Sequence, residues 1–451
     1  MSESALTAPV RTVLGLAWPM TVKAMILHGT IVIDAYLVAG LGEASLAAMG
    51  IAAAVAGVVL GSIFAFASAL QIRTAQAFGT KDAVFLKSVL VCGLIVSAAV
   101  GMLGLGVIAV AEGPLIGALA PTPEIAGMAR AYLSIFAFVI LFEIVGQVLS
   151  SFFNGCGQTR VPLYSYCLSL PINVASSIVL IHGLLGFPAL GVAGAALGSA
   201  IAAGVQISFL AWRLWLRHGA MRSLLGWHGG SLRAALRRHV SFVLPIAATF
   251  FSAMLAGHVC TLIYARLSLE AFAAMTLITP WIMVAGTIGM QWAQASGIVV
   301  AQLLGQGCAA DDLDRFLSAT WRASFIAAAF VAAIYGAVCL SANALYADLS
   351  TETRMILLGF APILLLLPFP KESNAICGNT LRASGDTMYV MHIFVWTQWL
   401  FRVPATAVAV LLLQLPAFWV LSILLLEELL KFPAFHARLR RGLWKSATVA
   451  S

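Results

Sequence analysis

Charge is what this chain has least of. Only 9% of its 451 residues are Asp, Glu, Lys or Arg, where a soluble domain carries about 25%. With 62% hydrophobic residues and a mean hydropathy of +1.01, there is too little polar surface to cover a globule in water. Paired cysteines are also lacking. The seven present (Cys92, Cys156, Cys167, Cys260, Cys308, Cys339 and Cys377) stand singly, most of them inside apolar runs, so neither a disulfide framework nor a zinc site is expected. No GxxxxGK[ST] loop, dinucleotide fingerprint, GxSxG or HExxH occurs. ATP-driven and hydrolytic chemistry therefore have no support, and no enzyme is expected.

What is present is long apolar runs rich in Ala, Leu, Val and Gly. A β-barrel needs alternating segments of about ten residues. These runs are long enough for membrane-spanning helices, which need about 20 residues and satisfy their own backbone hydrogen bonds in lipid. The pattern predicts an all-α membrane protein with twelve spans, at 13–38, 46–72, 88–111, 129–153, 162–183, 191–212, 239–263, 271–299, 318–340, 354–379, 388–411 and 416–430. The opening residues, MSESALTAPVR, do not have signal-peptide architecture, so the first span is expected to stay in the mature chain. One connection is long and basic: 213–238 carries Arg213, Arg217, Arg222, Arg233, Arg237 and Arg238. It reads as a cytoplasmic linker between a lobe at 1–212 and a lobe at 239–430, followed by a basic tail at 431–451.

With both termini inside, the cytoplasmic segments hold 19 of the 25 Lys and Arg residues. That asymmetry sets orientation. The net charge of +8 is then an orientation device and a lipid-headgroup contact, not a nucleic-acid footprint.

The halves repeat. A shift of 226 residues lays 19–79 on 245–305 without a gap: Pro19 meets Pro245, Ala47-Ala48-Met49 meets Ala273-Ala274-Met275, and Gly79 meets Gly305. A shift of 228 lays Gly157-Gln158-Thr159 on Gly385-Asp386-Thr387. Six spans separate the copies, so both run the same way through the bilayer. Parallel repeats of this kind enclose a central site in transporters.

Several stretches resemble the multidrug and toxic compound extrusion (MATE) family. They are Leu16-Ala17-Trp18-Pro19, Ala75-Gln76-Ala77-Phe78-Gly79, Asn154-Gly155-Cys156-Gly157-Gln158-Thr159-Arg160, the Gly-rich run from Gly183 to Ala196, and Leu381-Arg382-Ala383-Ser384-Gly385-Asp386-Thr387. The resemblance covers nearly the whole chain. It implies two pseudo-symmetric six-helix bundles around a central cleft and rocking between inward- and outward-open states. It also implies export of organic cations or amphipathic drugs against entering H⁺ or Na⁺, with no other cofactor. The expected setting is the bacterial inner membrane. The expected partners are a small-molecule substrate and the bilayer, with no obligate protein partner, as a monomer. A lipid-linked saccharide flippase of the same superfamily and a non-transporting membrane receptor are the alternatives.

Ionisable residues inside spans are the site candidates, because each costs about 2.5–3.5 kcal/mol in mid-membrane unless it faces water or a partner. Six qualify: Lys23, Asp34, Glu143, Lys371, Glu372 and Arg402. The resemblance puts a coupling acid at Asp34, with Asn173 in the family's Asn position. Ser177 stands where the family has an Asp, and Ser199 where it has a Thr. One carboxylate of the usual two is thus missing, which favours H⁺ over Na⁺, since burial makes a lone carboxyl responsive near neutrality. The family's second cation site, in the other lobe, is not expected. The seventh span reads Phe250-Phe251-Ser252-Ala253, and Lys371 occupies the acid position on the tenth. By the repeat, Lys371 is equivalent to Glu143. The two are expected to face one another across the cleft in at least one state; alternatively Glu372 holds Lys371, or each points to internal water. Pro19 is expected to bend the first helix, and Pro368 and Pro370 to break the tenth. His28 and His258 are read as cleft-lining or packed. Met283, Met290 and Trp292, with Trp281, form either an apolar drug wall or packing. Arg402 binds an anionic group or closes a helix end, and Glu427 and Glu428 are expected to be solvated near the inner interface.

Overall fold

The computed structural model of the chain describes residues 3–219, 225–341 and 349–446. Arg222 of the expected linker and the last residues of the tail, 447–451, lie outside these. The described residues contain no strand. The helices are α1 (Glu3–Ala39), α2 (Glu43–Gly79), α3 (Ala83–Leu119), α4 (Pro123–Gly155), α5 (Arg160–His182) and α6 (Val192–His218). They continue as α7 (Leu232–Tyr264), α8 (Leu269–Gly305), α9 (Ala310–Leu340), α10 (Thr351–Leu366), α11 (Pro368–Ala383), α12 (Thr387–Leu412) and α13 (Ala417–Arg440).

Ten of these are long and apolar enough to cross a membrane, and α10 with α11 makes an eleventh. The chain is a multi-pass all-α membrane protein. The twelfth expected span is the first part of α13, whose second part carries Glu427, Glu428, Lys431, Arg438 and Arg440. The ends of the 213–238 segment are helical, belonging to α6 and α7.

Local chemistry sets where helices start and break. Asp82 caps α3 by accepting from Val84 N–H at 2.8 Å and Phe85 N–H at 3.0 Å. Thr122 caps α4 with Pro123 behind it, where a missing N–H costs nothing. The tenth span bends by 41° between Leu366 and Pro368, as two prolines removing backbone donors require. Pro404 acts more gently: α12 stays helical but widens into π turns at Thr397–Arg402 and Val408–Leu412. Pro19 lies within the unbroken α1, and Pro245 within the unbroken α7.

The chain forms two compact units. One comprises Val22–Phe78 and Asp82–Leu244; the other comprises Met1–Thr21, Gly79–Lys81 and Pro245–Ser451. Two of the boundaries fall beside the repeat-related prolines, after Thr21 in α1 and before Pro245 in α7. The first unit has a core of Val38, Ala48, Ala52, Ile63, Ile116, Leu133 and Ile140. The second has one of Ile278, Tyr335, Phe360, Leu364 and Val420.

Candidate functional site

The site begins with how α6 lies against α5. Gly183 ends α5 with a left-handed φ of 68°, and a Cβ there would come within 2.7 Å of the Ala189 nitrogen. Only glycine suits both conditions. The chain returns immediately, with Leu190 N–H donating to the Leu180 carbonyl at 2.9 Å. Gly194 and Gly198, four residues apart, then let the helices touch. A Cβ on Gly194 would sit 2.7 Å from the Leu180 carbonyl group, and one on Gly198 would sit 2.3 Å from Ser177 Oγ. Small residues at this spacing allow close helix approach in lipid.

That approach brings Asn173 and Ser199 together and turns both toward α1. Asn173 Nδ2 donates to Ser199 Oγ at 3.0 Å, and Ser199 Oγ donates to Asp34 Oδ2 at 3.2 Å. Three further oxygens, Asp34 Oδ1, Asn173 Oδ1 and Ser177 Oγ, are buried without a hydrogen-bond partner. Unpaired buried acceptors are costly, so an oxygen-seeking cation or a proton has a ready place here.

Asp34, Asn173 and Ser199 line a cavity of about 420 Å³ inside the first unit. Its walls are largely apolar, including Leu27, Leu60, Phe64, Phe136 and Val139, and His28 lines it as well. Glu143, Gln147, Tyr166 and Gln206 make a second polar stretch of the lining. Gln147 Nε2 donates to Glu143 Oε2 at 2.7 Å and to the Tyr166 hydroxyl at 3.3 Å. Lys23 Nζ donates to Ser150 Oγ at 2.7 Å, stands 5.3 Å from the Tyr166 ring centre and lies within electrostatic reach of Glu143.

Glu143 and Lys371 fall in different units. Within its own unit, Glu143 has Lys23 as its cation. Lys371 stands near Gly286, within electrostatic reach of the adjacent Glu372. Glu372 is 2% exposed and fills the notch left by Gly289, where a Cβ would come within 1.9 Å of its carboxyl carbon.

Glu427 and Glu428 of the second unit are not solvated, contrary to expectation. Lys431 Nζ reaches Glu427 at 2.7 Å and Glu428 at 2.9 Å, and Arg402 reaches Glu427 at 3.7 Å. Asn374 Nδ2 donates to Glu428 Oε2 at 2.9 Å. The reason is packing: this part of α13 lies against α11 and α12, so both carboxylates leave water with their counter-ions. Arg402 is therefore an ion-pair partner rather than a helix-end closure. His258 is exposed and bonds to the Met254 carbonyl at 2.8 Å. Met283 and Met290 are exposed, whereas Trp292 is buried and donates to the Thr320 carbonyl at 3.2 Å. On α7, Ser252 donates to Gln398 Oε1 at 2.7 Å, a neutral contact where a cation site would need an acid.

The residues that sequence reasoning left out of the site are Gln147, Tyr166 and Gln206, together with the glycines that shape it. Gln147 had a readable signal, since it stands four residues from Glu143 and so shares its helix face.

The sequence matches the MatE family model over residues 19–179. It is 34% identical over 166 residues to a probable multidrug resistance protein NorM of Rhizobium meliloti (strain 1021), a match covering 37% of this chain and 35% of that one. It is 26% identical over 285 residues to a probable multidrug resistance protein NorM of Agrobacterium fabrum (strain C58 / ATCC 33970), covering 61% of this chain and 59% of the relative. In structure it resembles a crystal structure of MATE in the bent conformation, with a TM-score of 0.83 and 17% identity, over 99% of this chain and 100% of the other.

Proposed function

For a chain that belongs to the MATE family, we propose secondary active efflux: export of organic cations or amphipathic molecules by alternating access, driven by entering H⁺ rather than Na⁺. The observation that carries this reading is Asp34. It is a single carboxylate on the wall of an apolar cavity, with one oxygen held by Ser199 and the other without a partner. A proton taken up on the free oxygen discharges the wall, and its release restores a charge that attracts a cation. Substrate and proton thereby compete for one group, which is the coupling that exchange requires. The apolar and aromatic lining suits a hydrophobic body, and binding there needs no shape-specific contacts. Asn173 and Ser177 offer further oxygens, so Na⁺ is a chemically reasonable competitor at the same place.

The charge asymmetry supports both termini lying inside, the bacterial relatives support a bacterial cytoplasmic membrane, and the resemblance implies a protein acting as a monomer. The relatives' description as probable multidrug resistance proteins supports the substrate class.

Dye movement into inverted vesicles tests the reading, with a pH gradient and a Na⁺ gradient imposed separately on wild type and Asp34→Asn. A pH gradient is expected to drive wild-type uptake, and Asp34→Asn to reduce it to the protein-free background. Uptake driven by Na⁺ alone overturns the choice of ion. Full coupled uptake in Asp34→Asn overturns the mechanism.

A further inference from the structure

The polar stretch around Glu143 has no part in the coupling step, yet it is a built site. Glu143 and Gln206 both line the cavity. Gln206 is 4% exposed; its Nε2 makes no hydrogen bond of good geometry and stands beside the Tyr166 hydroxyl, so at least one of its two N–H groups is unpaired. A Cβ added to Gly146 would lie 3.7 Å from that nitrogen and 4.0 Å from Glu143 Oε2, so a donor and a carboxylate flank the same point of α4. Gln147 fixes one Glu143 oxygen from the same helix and is braced in turn by Tyr166. Lys23 is not among the lining residues. It is tied to Ser150 and set beside the Tyr166 ring, and makes no ion pair with Glu143 within 4.0 Å among the described residues. Its charge acts on Glu143 from a distance and leaves the carboxylate's cavity face free.

We propose that Glu143 is a second cation-recognition group of this cavity, that Lys23 is its fixed counter-charge, and that the pair sets a preference for monocationic amphiphiles carrying a hydrogen-bond acceptor over dications. Two carboxylates line the cavity, and one is offset by Lys23. When Asp34 is ionised, the net charge to be balanced is a single negative one. A monocation balances it. A dication leaves an uncompensated positive charge in an apolar enclosure, where charge interactions are strong. The free Gln206 N–H is satisfied by a carbonyl or ether oxygen on the substrate and stays unpaired with a substrate that has none.

This rests on the efflux reading for its substrate class, but its test needs no gradient. Binding to the purified full chain in detergent is measured with rhodamine 6G as a monocation with an ester carbonyl, tetraphenylphosphonium as a monocation without an acceptor, and methyl viologen as a dication. Wild type is expected to bind methyl viologen about tenfold more weakly than rhodamine 6G. Lys23→Met is expected to close most of that gap by strengthening methyl viologen binding. Glu143→Gln is expected to weaken rhodamine 6G about tenfold, and Gln206→Leu to weaken rhodamine 6G while sparing tetraphenylphosphonium. A purely structural role for these side chains would alter all three ligands alike. Equal competition by methyl viologen and rhodamine 6G on the wild type overturns the proposal without any variant, as does an unchanged ratio in Lys23→Met and Glu143→Gln. Intact selectivity without gradient-driven efflux sinks only the efflux reading, whereas efflux with unaltered ratios sinks only this one.

Discussion

The two units handle buried acids in opposite ways. In the unit holding α2 to α6, Asp34 and Glu143 line a cavity, their neighbours are mostly neutral, and one Asp34 oxygen has no partner. In the unit holding α8 to α13, Glu427 and Glu428 share Lys431, Arg402 supports the first, and Asn374 holds the second. Glu372 is packed against Gly289. On the proposed reading, the acids of one unit serve exchange, while those of the other are bound into structure. Substitutions of the acids and their partners should therefore divide along the same line: those in the second unit cost stability, and those in the first cost transport.

The largest effect on stability is expected from Lys431→Met. It leaves two buried carboxylates without their shared cation, and breaking such a pair costs about 3–5 kcal/mol. Thermal unfolding in detergent should show it as a drop of many degrees, and an unchanged melting temperature would mean that the ion cluster is not structural. Next come the two glycine notches. Gly289→Ala forces Glu372 out of its place and Gly198→Ala pushes α6 off α5, each costing about 1–3 kcal/mol by overpacking. They should differ in transport, because only Gly198→Ala disturbs the Asn173–Ser199–Asp34 chain. Equal loss of dye efflux in both would break the comparison.

Ser199→Ala removes one hydrogen bond from Asp34, worth about 1 kcal/mol, and is expected to slow efflux while leaving the melting temperature close to that of wild type. The smallest stability change is expected from Asp34→Asn. Neutralising an underpartnered acid should raise stability by about 0.5 kcal/mol while abolishing coupling, as at sites where function is held at the expense of stability. A large loss of melting temperature in Asp34→Asn would place this residue with the structural acids of the other unit.

Much of this was legible from residue order. Apolar runs located the helices, since in lipid a single segment can satisfy its own backbone only as a helix. Pro368 and Pro370 announced the bend in the tenth span because proline removes a donor wherever it stands. The resemblance to a known family named Asp34, Asn173 and Ser199, and the structure joins these three by hydrogen bonds. Glu427 and Lys431 could be paired by their four-residue spacing. Their burial could not be foreseen, because charges near a helix end read as solvated until the neighbouring helices are in place.

The sequence by itself determined that this protein lives in a membrane, that it repeats, where its helices run and which ionisable groups must be excused from lipid. Those are properties of single segments, decided by composition, periodicity and local donors. Only the tertiary structure decided what each ionisable group meets. It brought Lys23 near Glu143 and buried the Gln206 amide on the cavity lining. It also set Glu372 into the notch of Gly289 and sealed Glu427 and Glu428 behind Lys431. Each of those outcomes depends on the approach of helices far apart in the chain, and that distance is set by packing, which no single segment encodes.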